Sequence, residues 1–591
     1  MSASSATAWQ RPPARWQLPA DLAVAQAALA SALNIHPLLA AVLVHRDFTA
    51  QTAREFLSPG IDGLHNPLLM RDMEAATARL WAAIQQREPV LLYGDYDVDG
   101  TSSIVVLKKA IEILGGCASF HIPHRLKDGY GMRNEVIDKA AEQGVRLIVS
   151  VDTGIRAGEV VRHARALGID VIVTDHHLPE SELPPALAVL NPNRADCSYP
   201  NKNLCGAGVA LKLVQALLLR SGLAAMRQAA LLDSFLKPVA IATVADIVPL
   251  TGENRVIVQR GLSGLRHVKN PGLRALLSVA GLDEGEPPSA HQVAFRVAPR
   301  INAAGRMATA KEVIELFLTD DVKRAEELAG NLDTLNRERQ QVEADIVEKV
   351  MAQCEQSADS DRCAFVFAGE KWHLGVLGIV ASRLVEKLCR PVFVLSNSAS
   401  TDESQGPCLS GSGRSIPAFH LLQALESMPE LFVKFGGHRQ AAGLTIPCEK
   451  LREFQDRFHE WAASLLTADD MRPLYVADAE ASFADLNDES ASQIQLLGPF
   501  GFGNQAPIFF VRQAEVAGPS RVIREDKHFK VPLRHGGRVL YCKAWNFGGR
   551  QHLLQPGQKL DLLLQIEDDD YSRKRGYSPW CAVLKDVRTA V

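Results

Sequence analysis

The fold of this chain is decided by the stretch VLLYGDYDVDG at residues 90–100, in which an apolar run passes directly into three alternating acids. A run this apolar is typical of a parallel strand that is buried on both faces. Two more apolar runs, LIVSV at 147–151 and VIVT at 171–174, also end directly at acidic residues. Helical patterns such as 102–114 and 135–143 lie between the runs, so the sequence predicts a parallel α/β sheet.

Acids and imidazoles follow each of the three runs. In open α/β sheets the ligand site lies outside the carboxyl ends of the strands, so these side chains are expected to meet at one rim. They are Asp95, Asp97, Asp99, Asp152, Asp175, His176 and His177. So many carboxylates share a small volume only if cations neutralise them, and carboxylates with one or two imidazoles suit Mn²⁺ or Mg²⁺. The pattern therefore predicts a two-metal hydrolase.

The composition places limits on the class of protein. A chain of 591 residues is long enough for three or four domains of roughly 100–200 residues each. No apolar run approaches the ~18 residues of a membrane span, and the first residues have no signal-peptide pattern. The ten cysteines form no CxxC pair, which favours reduced thiols and disfavours a zinc site. We therefore expect a cytoplasmic protein with no membrane association.

Charge is unevenly distributed along the chain. The formal net charge is −4, which does not by itself indicate a nucleic-acid binder. From Ile508 to Val591, however, 15 Lys and Arg face 9 Asp and Glu, a local net charge of +6 that leaves −10 for the remainder. A basic tail on an acidic body suggests that binding and catalysis are done by separate parts of the chain.

The alternation of strands, helices and turn residues predicts five segments. They are a helical N-terminal extension at 1–60, a first α/β domain at 61–319, a connecting helix at 320–352, a second α/β domain at 353–468 and a C-terminal β-barrel at 469–591. The extension is expected to be a helical preface to the first sheet, and the connecting helix, which has one polar face, could bridge two domains.

The acidic stretch has other possible explanations. Alternating acids before Gly100 also open an EF-hand calcium loop, but the twelfth position counted from Asp95 is Val106 and not the required Glu. A solvated turn with helix-capping acids is an alternative for the stretch, and a strand-end cap is an alternative for Asp152. The buried strand before the stretch and the helix after it favour the metal site.

The adjacent histidines His176 and His177, and the carboxylate of Asp246, each need an interaction partner. Side chains alternate along an extended chain, so His176 and His177 cannot easily face one metal together. We expect one to be a ligand and the other to face a substrate phosphate, although a hydrogen-bonded histidine pair in a loop is the alternative. Asp246 lies in the apolar stretch ATVADIVPL, where an unpaired carboxylate is costly, so it requires a metal or an arginine.

Two glycine-rich segments lie in the second α/β domain. GSGRS at 411–415 combines backbone amides, hydroxyls and a guanidinium, and GGHR at 436–439 offers close backbone approach with two more donors. Both fit phosphate capture, although a lone glycine-rich turn is usually only a turn.

Taken together, these motifs resemble the DHH phosphoesterase superfamily and, within it, the bacterial RecJ single-strand-specific exonucleases, from about Val44 to Val591. The catalytic-domain motifs are GDYDVDG at 94–100, VDTGI at 151–155, TDHH at 174–177, CGAGVA at 205–210, ATVADIVPL at 242–250 and RINAAGRM at 300–307. The associated-domain motifs are WHLGVLGIVASRL at 372–384, GSGRS at 411–415 and FGGHRQAAG at 435–443. The resemblance implies a parallel-sheet DHH catalytic domain, a second α/β domain joined to it by a long helix, and an OB-fold for the barrel.

The resemblance also implies roles for individual residues. The positions that match the family's metal ligands are Asp97, Asp99, Asp152, His176 and Asp246, with Asp95 as a further ligand or base. His177 matches the histidine that faces the scissile phosphate, and Asp175 is expected to orient an adjacent histidine. The positions expected to hold substrate phosphates are Arg306, Ser412, Arg414, Gly437 and His438. Thr153 departs from many relatives, which have a small residue or Cys there, and should not affect ligation.

The activity implied is degradation of single-stranded DNA from 5′ to 3′ to mononucleotides, with two Mn²⁺ or Mg²⁺ ions, in DNA repair and recombination. A cleft between the two α/β domains would admit one strand. Implied partners are a single-stranded-DNA-binding protein and a helicase, and the chain is expected to be a monomer. Five barrel aromatics could stack on bases, although about half of them are expected in the core: Phe509, Phe529, Tyr541, Trp545 and Phe547.

Two other functions are compatible with parts of the sequence. One is a phosphodiesterase of the same superfamily that acts on short oligonucleotides or cyclic dinucleotides, against which the extra barrel and the RINAAGRM segment argue. The other is a non-catalytic DNA-binding relative that has lost its metals, which the complete set of matching ligands disfavours.

Overall fold

A computed structural model describes residues 11–58, 60–125, 131–282, 284–356, 361–397, 407–524 and 527–590. The chain divides into two compact units. The larger unit combines Ala20–Asn336 with Asp478–Val591, and the smaller unit combines Met1–Pro19 with Arg337–Ala477. The first sheet and the C-terminal barrel therefore belong to the same unit.

The first sheet has five strands, all paired in parallel. Their spatial order is Cys117–His121, Pro89–Tyr93, Leu147–Val151, Asp170–Thr174 and Ala188–Leu190. The parallel sheet predicted from the apolar runs is confirmed. The strand Leu147–Val151 is buried at every position, because both faces of the sheet are covered.

Alternate residues of these strands enter two separate cores. Leu92 and Val149 pack with the helices Val98–Ile113 and Gly206–Arg220, whereas Ile148 packs in the core on the opposite face. The main helices of the larger unit are Ala23–Leu33, Pro37–His45, Ala50–Leu57, Met73–Gln86, Val98–Ile113, Asn134–Glu142, Gly158–Ala166, Gly206–Arg220, Ala225–Ala245, Gly252–Gly264, Pro271–Val279, Ala298–Met307, Lys311–Leu318 and Asp488–Gln495.

The barrel is a seven-stranded sheet that closes on itself. Its order is Ala479–Glu480, Phe509–Val516, Lys559–Asp568, Trp580–Thr589, Arg538–Ala544, His528–His535 and Arg521–Arg524. The strand Phe509–Val516 pairs with both Lys559–Asp568 and His528–His535, which joins the two sides. The β-barrel predicted at the C-terminus is confirmed.

The N-terminal helices share a core with the barrel. Leu39, Val42 and Leu43 are fully buried and belong to the same cluster as the barrel residues Phe509 and Leu562. The sequence predicted a helical preface to the first sheet domain, and the structure adds that these helices pack in the core of the barrel. A short apolar helix has no feature of its own that selects one of two cores.

The smaller unit contains a mixed sheet. Its strands, in spatial order, are Lys434–Gly437, Ala441–Pro447, Cys408–Arg414, Val392–Asn397 and Phe365–Gly369, of which the last two pair in parallel. Its main helices are Leu377–Leu388, Leu421–Glu426 and Leu451–Leu465. A separate parallel pair joins Arg15–Gln17 to Leu474–Val476.

The long helix, the cysteines and the apolar helices can also be compared with the sequence expectations. The long helix runs over Val322–Gln356, where the sequence predicted one at 320–352, and the division between the two units falls inside it. All ten cysteines lie in the described residues and none forms a disulfide. Among the described helices, Ala225–Ala245 is long and apolar enough to cross a membrane, but 56% of its apolar window is buried within the protein, as in a core helix.

Candidate metal centre

The three strand ends meet as the sequence predicted. The strand Leu147–Val151 lies between the other two, with Ser150 opposite Tyr93 and Val151 opposite Thr174. The acids that follow these strands are therefore neighbours at one rim of the sheet.

Asp97 begins the helix Val98–Ile113. Its Oδ1 accepts hydrogen bonds from the backbone amides of Asp99 at 2.9 Å and Gly100 at 3.0 Å, as an N-cap residue does. A β-carbon on Gly100 would lie 2.6 Å from the carbonyl oxygen of Asp95, so glycine is needed for this tight entry. The cap holds Asp97 in place by one oxygen and leaves its other oxygen available.

Asp99 is held by the start of a second helix. Its two oxygens accept hydrogen bonds from the amides of Gly206 at 2.6 Å and Ala207 at 2.7 Å. These amides open the helix Gly206–Arg220, whose N-terminal dipole favours a negative charge. The sequence showed the CGAGVA motif but not this contact. In the structure, the backbone amides of the motif bind the Asp99 carboxylate.

Asp152 and His176 face each other at the centre of the rim. Asp152 has a left-handed backbone with φ of 58°, and a β-carbon on Gly206 would lie 2.7 Å from its Cβ. The Nε2 of His176 lies 3.2 Å from Asp152 Oδ1 and 3.8 Å from Asp99 Oδ2. His176 therefore points into the carboxylate cluster.

Asp246 completes the cluster from the end of a helix. It caps the helix Ala225–Ala245, and its Oδ2 lies 3.8 Å from Nδ1 of His176. His176 is thus the nearest imidazole, but it is neutral and the neighbouring acids repel the charge of Asp246, so the carboxylate still requires a cation. Among the described residues no arginine pairs with Asp246.

His177 is held differently from His176. Its Nδ1 lies 2.7 Å from Asp175 Oδ1, and Asp175 also accepts hydrogen bonds from the amides of His176, His177 and Ile155. Burial alone would lower the pKa of His177, but the hydrogen bond and charge of Asp175 raise it above its usual value. Of the two histidines, His177 is therefore the one whose ring Asp175 contacts.

The cluster is electrostatically unfavourable without cations. Burial, followed by the charge of Asp97, raises the pKa of Asp95 to about 8 and that of Asp99 to about 7. Burial and neighbouring acids also raise the pKa values of Asp152 and Asp246 well above the usual range. Burial lowers the pKa of His176 to about 4, which keeps its imidazole neutral, the form that binds metals.

The residues present fit divalent cations. Three sets of ligand atoms each lie within 4.8 Å of one another: Asp95, Asp97 and Asp152; Asp99, His176 and Asp246; and Asp152, His176 and His177. Asp95 Oδ1 and Asp246 Oδ2 are buried and have no hydrogen-bond partner among the described residues. Buried oxygens in this state, surrounded by further acids, match the oxygen-rich donor set of Mn²⁺ and Mg²⁺.

The RINAAGRM motif lies directly against the acidic loop. Asn302 Oδ1 accepts a hydrogen bond from the amide of Val98 at 3.3 Å, and a β-carbon on Gly305 would lie 2.5 Å from the carbonyl oxygen of Tyr96. Burial and Asp95 raise the pKa of Tyr96, while Arg125 and Arg306 oppose the rise. Arg306 therefore lies within electrostatic range of Tyr96, and Arg125, which no motif had indicated, lies 5.0 Å from the Tyr96 ring centroid.

The other predicted phosphate-binding residues meet in the smaller unit. Arg414 Nη1 donates to Ser412 Oγ and to the carbonyl of Gly413, both at 2.8 Å. Gly437 has φ of 147°, and the amide of His438 donates to the carbonyl of Ala441, the register partner of Arg414. Ser412 and Arg414 therefore lie on one side of the strand Ala441–Pro447, and Gly437 and His438 lie at the end of the strand on its other side.

The domains match known families in chain order. Residues 89–243 match the DHH family, N-terminal domain, residues 361–464 match the DHHA1 domain, and residues 477–578 match the RecJ OB domain. The fold and the acidic centre thus define a DHH-type protein with an associated domain and an OB-fold.

Comparison with similar proteins identifies the family within this class of DHH-type proteins. The chain is 36% identical to the single-stranded-DNA-specific exonuclease RecJ of Bacillus subtilis, over 95% of this chain and 69% of that protein. It is 37% identical to the protein of the same name from Escherichia coli, over 80% and 83% of the two chains. The crystal structure of RecJ with Mn²⁺ from Thermus thermophilus superposes with a TM-score of 0.81 at 29% identity, over 98% of this chain and 80% of that one. The chain belongs to the RecJ family.

Proposed function

We propose that this chain is a metal-dependent exonuclease that degrades single-stranded DNA from 5′ to 3′ to mononucleotides, in DNA repair and recombination. The observation that carries the proposal is the rim at which three parallel strands and the end of the helix Ala225–Ala245 bring together five aspartates and a neutral histidine, with buried oxygens left unsatisfied. The relatives named single-stranded-DNA-specific exonucleases support the substrate, and the 5′ to 3′ direction is carried over from the resemblance.

The metals would be held by side chains that the fold orients in advance. The proposed ligands are Asp95, Asp97, Asp99, Asp152, His176 and Asp246, as expected from the sequence. Two bound divalent ions would activate a water molecule and stabilise charge on the attacked phosphate. Relatives crystallised with Mn²⁺ and with Mg²⁺ support either ion.

His177 is the proposed contact to the scissile phosphate. Asp175 holds its Nδ1 and so fixes the orientation of the ring, and the raised pKa favours the positively charged form. A charged imidazole donates a hydrogen bond to a phosphate oxygen at the place where negative charge develops. Arg306 in the larger unit, and Ser412, Arg414, Gly437 and His438 in the smaller unit, are proposed contacts to substrate phosphates, as the resemblance implies.

The barrel is the proposed binding surface for single-stranded DNA. Of the five aromatics considered from the sequence, Phe509, Phe529 and Phe547 are core residues at 1% exposure or less. Tyr541 and Trp545 are 60% and 40% exposed, and the ammonium of Lys530 lies 5.4 Å from the Tyr541 ring centroid. An exposed aromatic beside a cation suits base stacking and backbone tracking.

A nuclease assay tests the proposal. Single strands labelled at the 5′ or the 3′ end should release mononucleotides in Mn²⁺ from the 5′ end only, while blunt duplex and circular single strands should persist. Cleavage of circles, or equal activity in EDTA, would contradict it. Comparing a long single strand with a dinucleotide distinguishes it from a small-substrate phosphodiesterase, which the named relatives do not favour.

The cellular setting is also a proposal. We infer a monomer that works in the cytoplasm beside a single-stranded-DNA-binding protein and a helicase, since long single strands arise where duplexes are unwound. Sedimentation of the purified chain tests the monomer, and pull-down with each purified partner tests the association.

A further inference from the structure

The loop that follows Asp246 is held by a distant part of the chain. The segment LLGPFGFGN at residues 496–504, called here the pre-barrel segment, leads into the barrel. The amide of Leu250 donates to the carbonyl of Phe502 in this segment at 2.8 Å. The loop from Asp246 to Leu250 is therefore fixed at one end by the helix that Asp246 caps and at the other end by the pre-barrel segment.

Two glycines of the pre-barrel segment pack directly on this loop. A β-carbon on Gly503 would lie 2.8 Å from Cβ of Pro249, and one on Gly501 would lie 2.7 Å from Cδ1 of Leu250. Gly503 also has φ of 72°. Because the atoms met at Gly503 belong to a proline and its backbone, a β-carbon there must displace the loop or the segment, whereas one at Gly501 must displace the buried side chain of Leu250.

Arg255 fastens the same two parts together. It is 1% exposed and donates to the carbonyl of Leu496 at 2.8 Å and to that of Leu497 at 2.7 Å. It belongs to the helix Gly252–Gly264, which begins just after the loop. In the same helix, Asn254 donates to the carbonyl of Pro249 at 3.0 Å.

The loop between these anchors has a conformation that needs support. Ile247, directly after Asp246, has φ of 58°, which is strained for a β-branched residue. Such strain persists only where the surrounding structure enforces it, and it is concentrated at functional sites. The loop is therefore a part of the centre that can relax if its anchors are altered.

We propose that the pre-barrel segment, together with Arg255, positions Asp246 in the metal centre, so that the barrel end of the chain helps to build the active site as well as to bind DNA. The proposal rests on the proposed function, since it takes Asp246 to be a metal ligand. The glycines and Arg255 are positioning residues, and none of them is expected to touch the substrate.

Glycine substitutions in the full-length chain test this. Gly503→Ala and Gly501→Ala should weaken Mn²⁺ binding, measured by calorimetry, by about tenfold, the usual effect of disturbing the support of a ligand. They should lower kcat on a short oligonucleotide and leave the KM for single strands unchanged. The matched controls are Gly557→Ala, which has φ of 84° and open space, and Gly549→Ala, which has open space; both should bind Mn²⁺ normally.

A double variant separates the positioning of Asp246 from a general loss of stability. Leu250→Val removes the Cδ1 atom that would meet the new methyl group, so adding it to Gly501→Ala should restore Mn²⁺ affinity. If Gly501→Ala only destabilised the fold, adding Leu250→Val would instead lower the stability and the Mn²⁺ affinity further. Mn²⁺ affinities of the two glycine variants equal to their controls, beside normal cleavage by the wild type, would overturn this proposal and leave the proposed function standing. Failure of the wild type to bind Mn²⁺ would overturn both.

Discussion

Asp97 has two oxygens with different tasks, and a single substitution can separate them. Asn at this position keeps an oxygen for the amides of Asp99 and Gly100 and removes the charge. We expect Asp97→Asn to reduce Mn²⁺-dependent cleavage at least about 100-fold, since it replaces a charged ligand. The melting temperature in EDTA should stay the same or rise, because repulsion with Asp95 and Asp99 is relieved.

Asp97→Ala is the companion variant, because it removes the cap as well as the charge. It should lose activity equally and also lose about 1 kcal/mol of stability. Near-normal cleavage by either variant with Mn²⁺ present would remove Asp97 from the ligand set.

The two adjacent histidines should separate metal binding from turnover. His176 lies among Asp99, Asp152 and Asp246, whereas His177 is hydrogen-bonded to Asp175. His176→Ala should lose both Mn²⁺ affinity and activity. His177→Ala should keep Mn²⁺ affinity in calorimetric titration and lose turnover. Equal loss of metal binding in both variants would show that the assigned roles are wrong.

The buried carboxyls make a prediction about pH. The folded-state pKa values of Asp95 and Asp99 are raised to about 8 and about 7 from a usual 3.8. The folded protein therefore keeps protons that the unfolded chain has released, and the free energy of unfolding falls as pH rises between these values. Mn²⁺ binds the deprotonated carboxylates and should reverse the trend.

Melting temperatures from pH 4 to 8, in EDTA and in Mn²⁺, measure this effect. Other groups titrate in the same range, so the informative quantity is the difference between wild type and Asp95→Asn. The EDTA slope should be shallower in the variant. Parallel slopes would mean that Asp95 does not hold a proton in the folded state.

The residue types of the centre were readable from the sequence, but their mutual contacts were not. Asp95, Asp97, Asp99, Asp152 and the two histidines each follow an apolar run, and parallel strands bring such positions together. Which histidine Asp175 would hold, and that the amides of Gly206 and Ala207 would hold Asp99, depends on tertiary packing. Arg125 had no motif to mark it.

At the scale of elements, periodicity identified the parallel strands, the long helix and the barrel. It could not divide the barrel aromatics between core and surface, because Phe529 and Tyr541 lie on strands of similar composition. Nor could it assign the N-terminal helices, whose apolar residues suit either core. Both the placement of the aromatics and the packing of the N-terminal helices depend on which side chains the closed barrel buries.

The barrel strands make a prediction that distinguishes the two kinds of aromatic. Tyr541→Ala should weaken binding of a long single strand by about 1–3 kcal/mol, the usual loss for a stacked base, with the melting temperature unchanged. Phe529→Ala, which removes a ring at 1% exposure, should destabilise the fold by about 3–5 kcal/mol. Fluorescence anisotropy and thermal unfolding measure the two quantities. Unchanged affinity in Tyr541→Ala would place the stacking surface elsewhere.

At the scale of the whole molecule, the basic excess of the C-terminal part and the acidic centre have to be tested separately. Deleting the barrel would not do this cleanly, since Leu39, Val42 and Leu43 would lose their core partners and the pre-barrel segment would lose its anchor. Substituting surface cations on the barrel leaves both in place. Arg521 and Lys530 are register partners on adjacent strands, and Lys530 lies by Tyr541.

We expect Arg521→Gln with Lys530→Gln to weaken binding of long single strands and to flatten its salt dependence. Each lost phosphate contact lowers the slope of log K against log salt by about 0.7, so the slope should fall by about 1.4. Mn²⁺-dependent cleavage of a short oligonucleotide should continue, because the ligands lie in another part of the unit. The matched control is Arg512→Gln, an exposed barrel cation that is already paired with Glu480 at 2.7 Å and should leave the slope unchanged. An unchanged slope of log K against log salt in the double variant would mean that DNA binds elsewhere than on this face of the barrel. A loss of short-oligonucleotide cleavage would mean that this face also supports the metal centre.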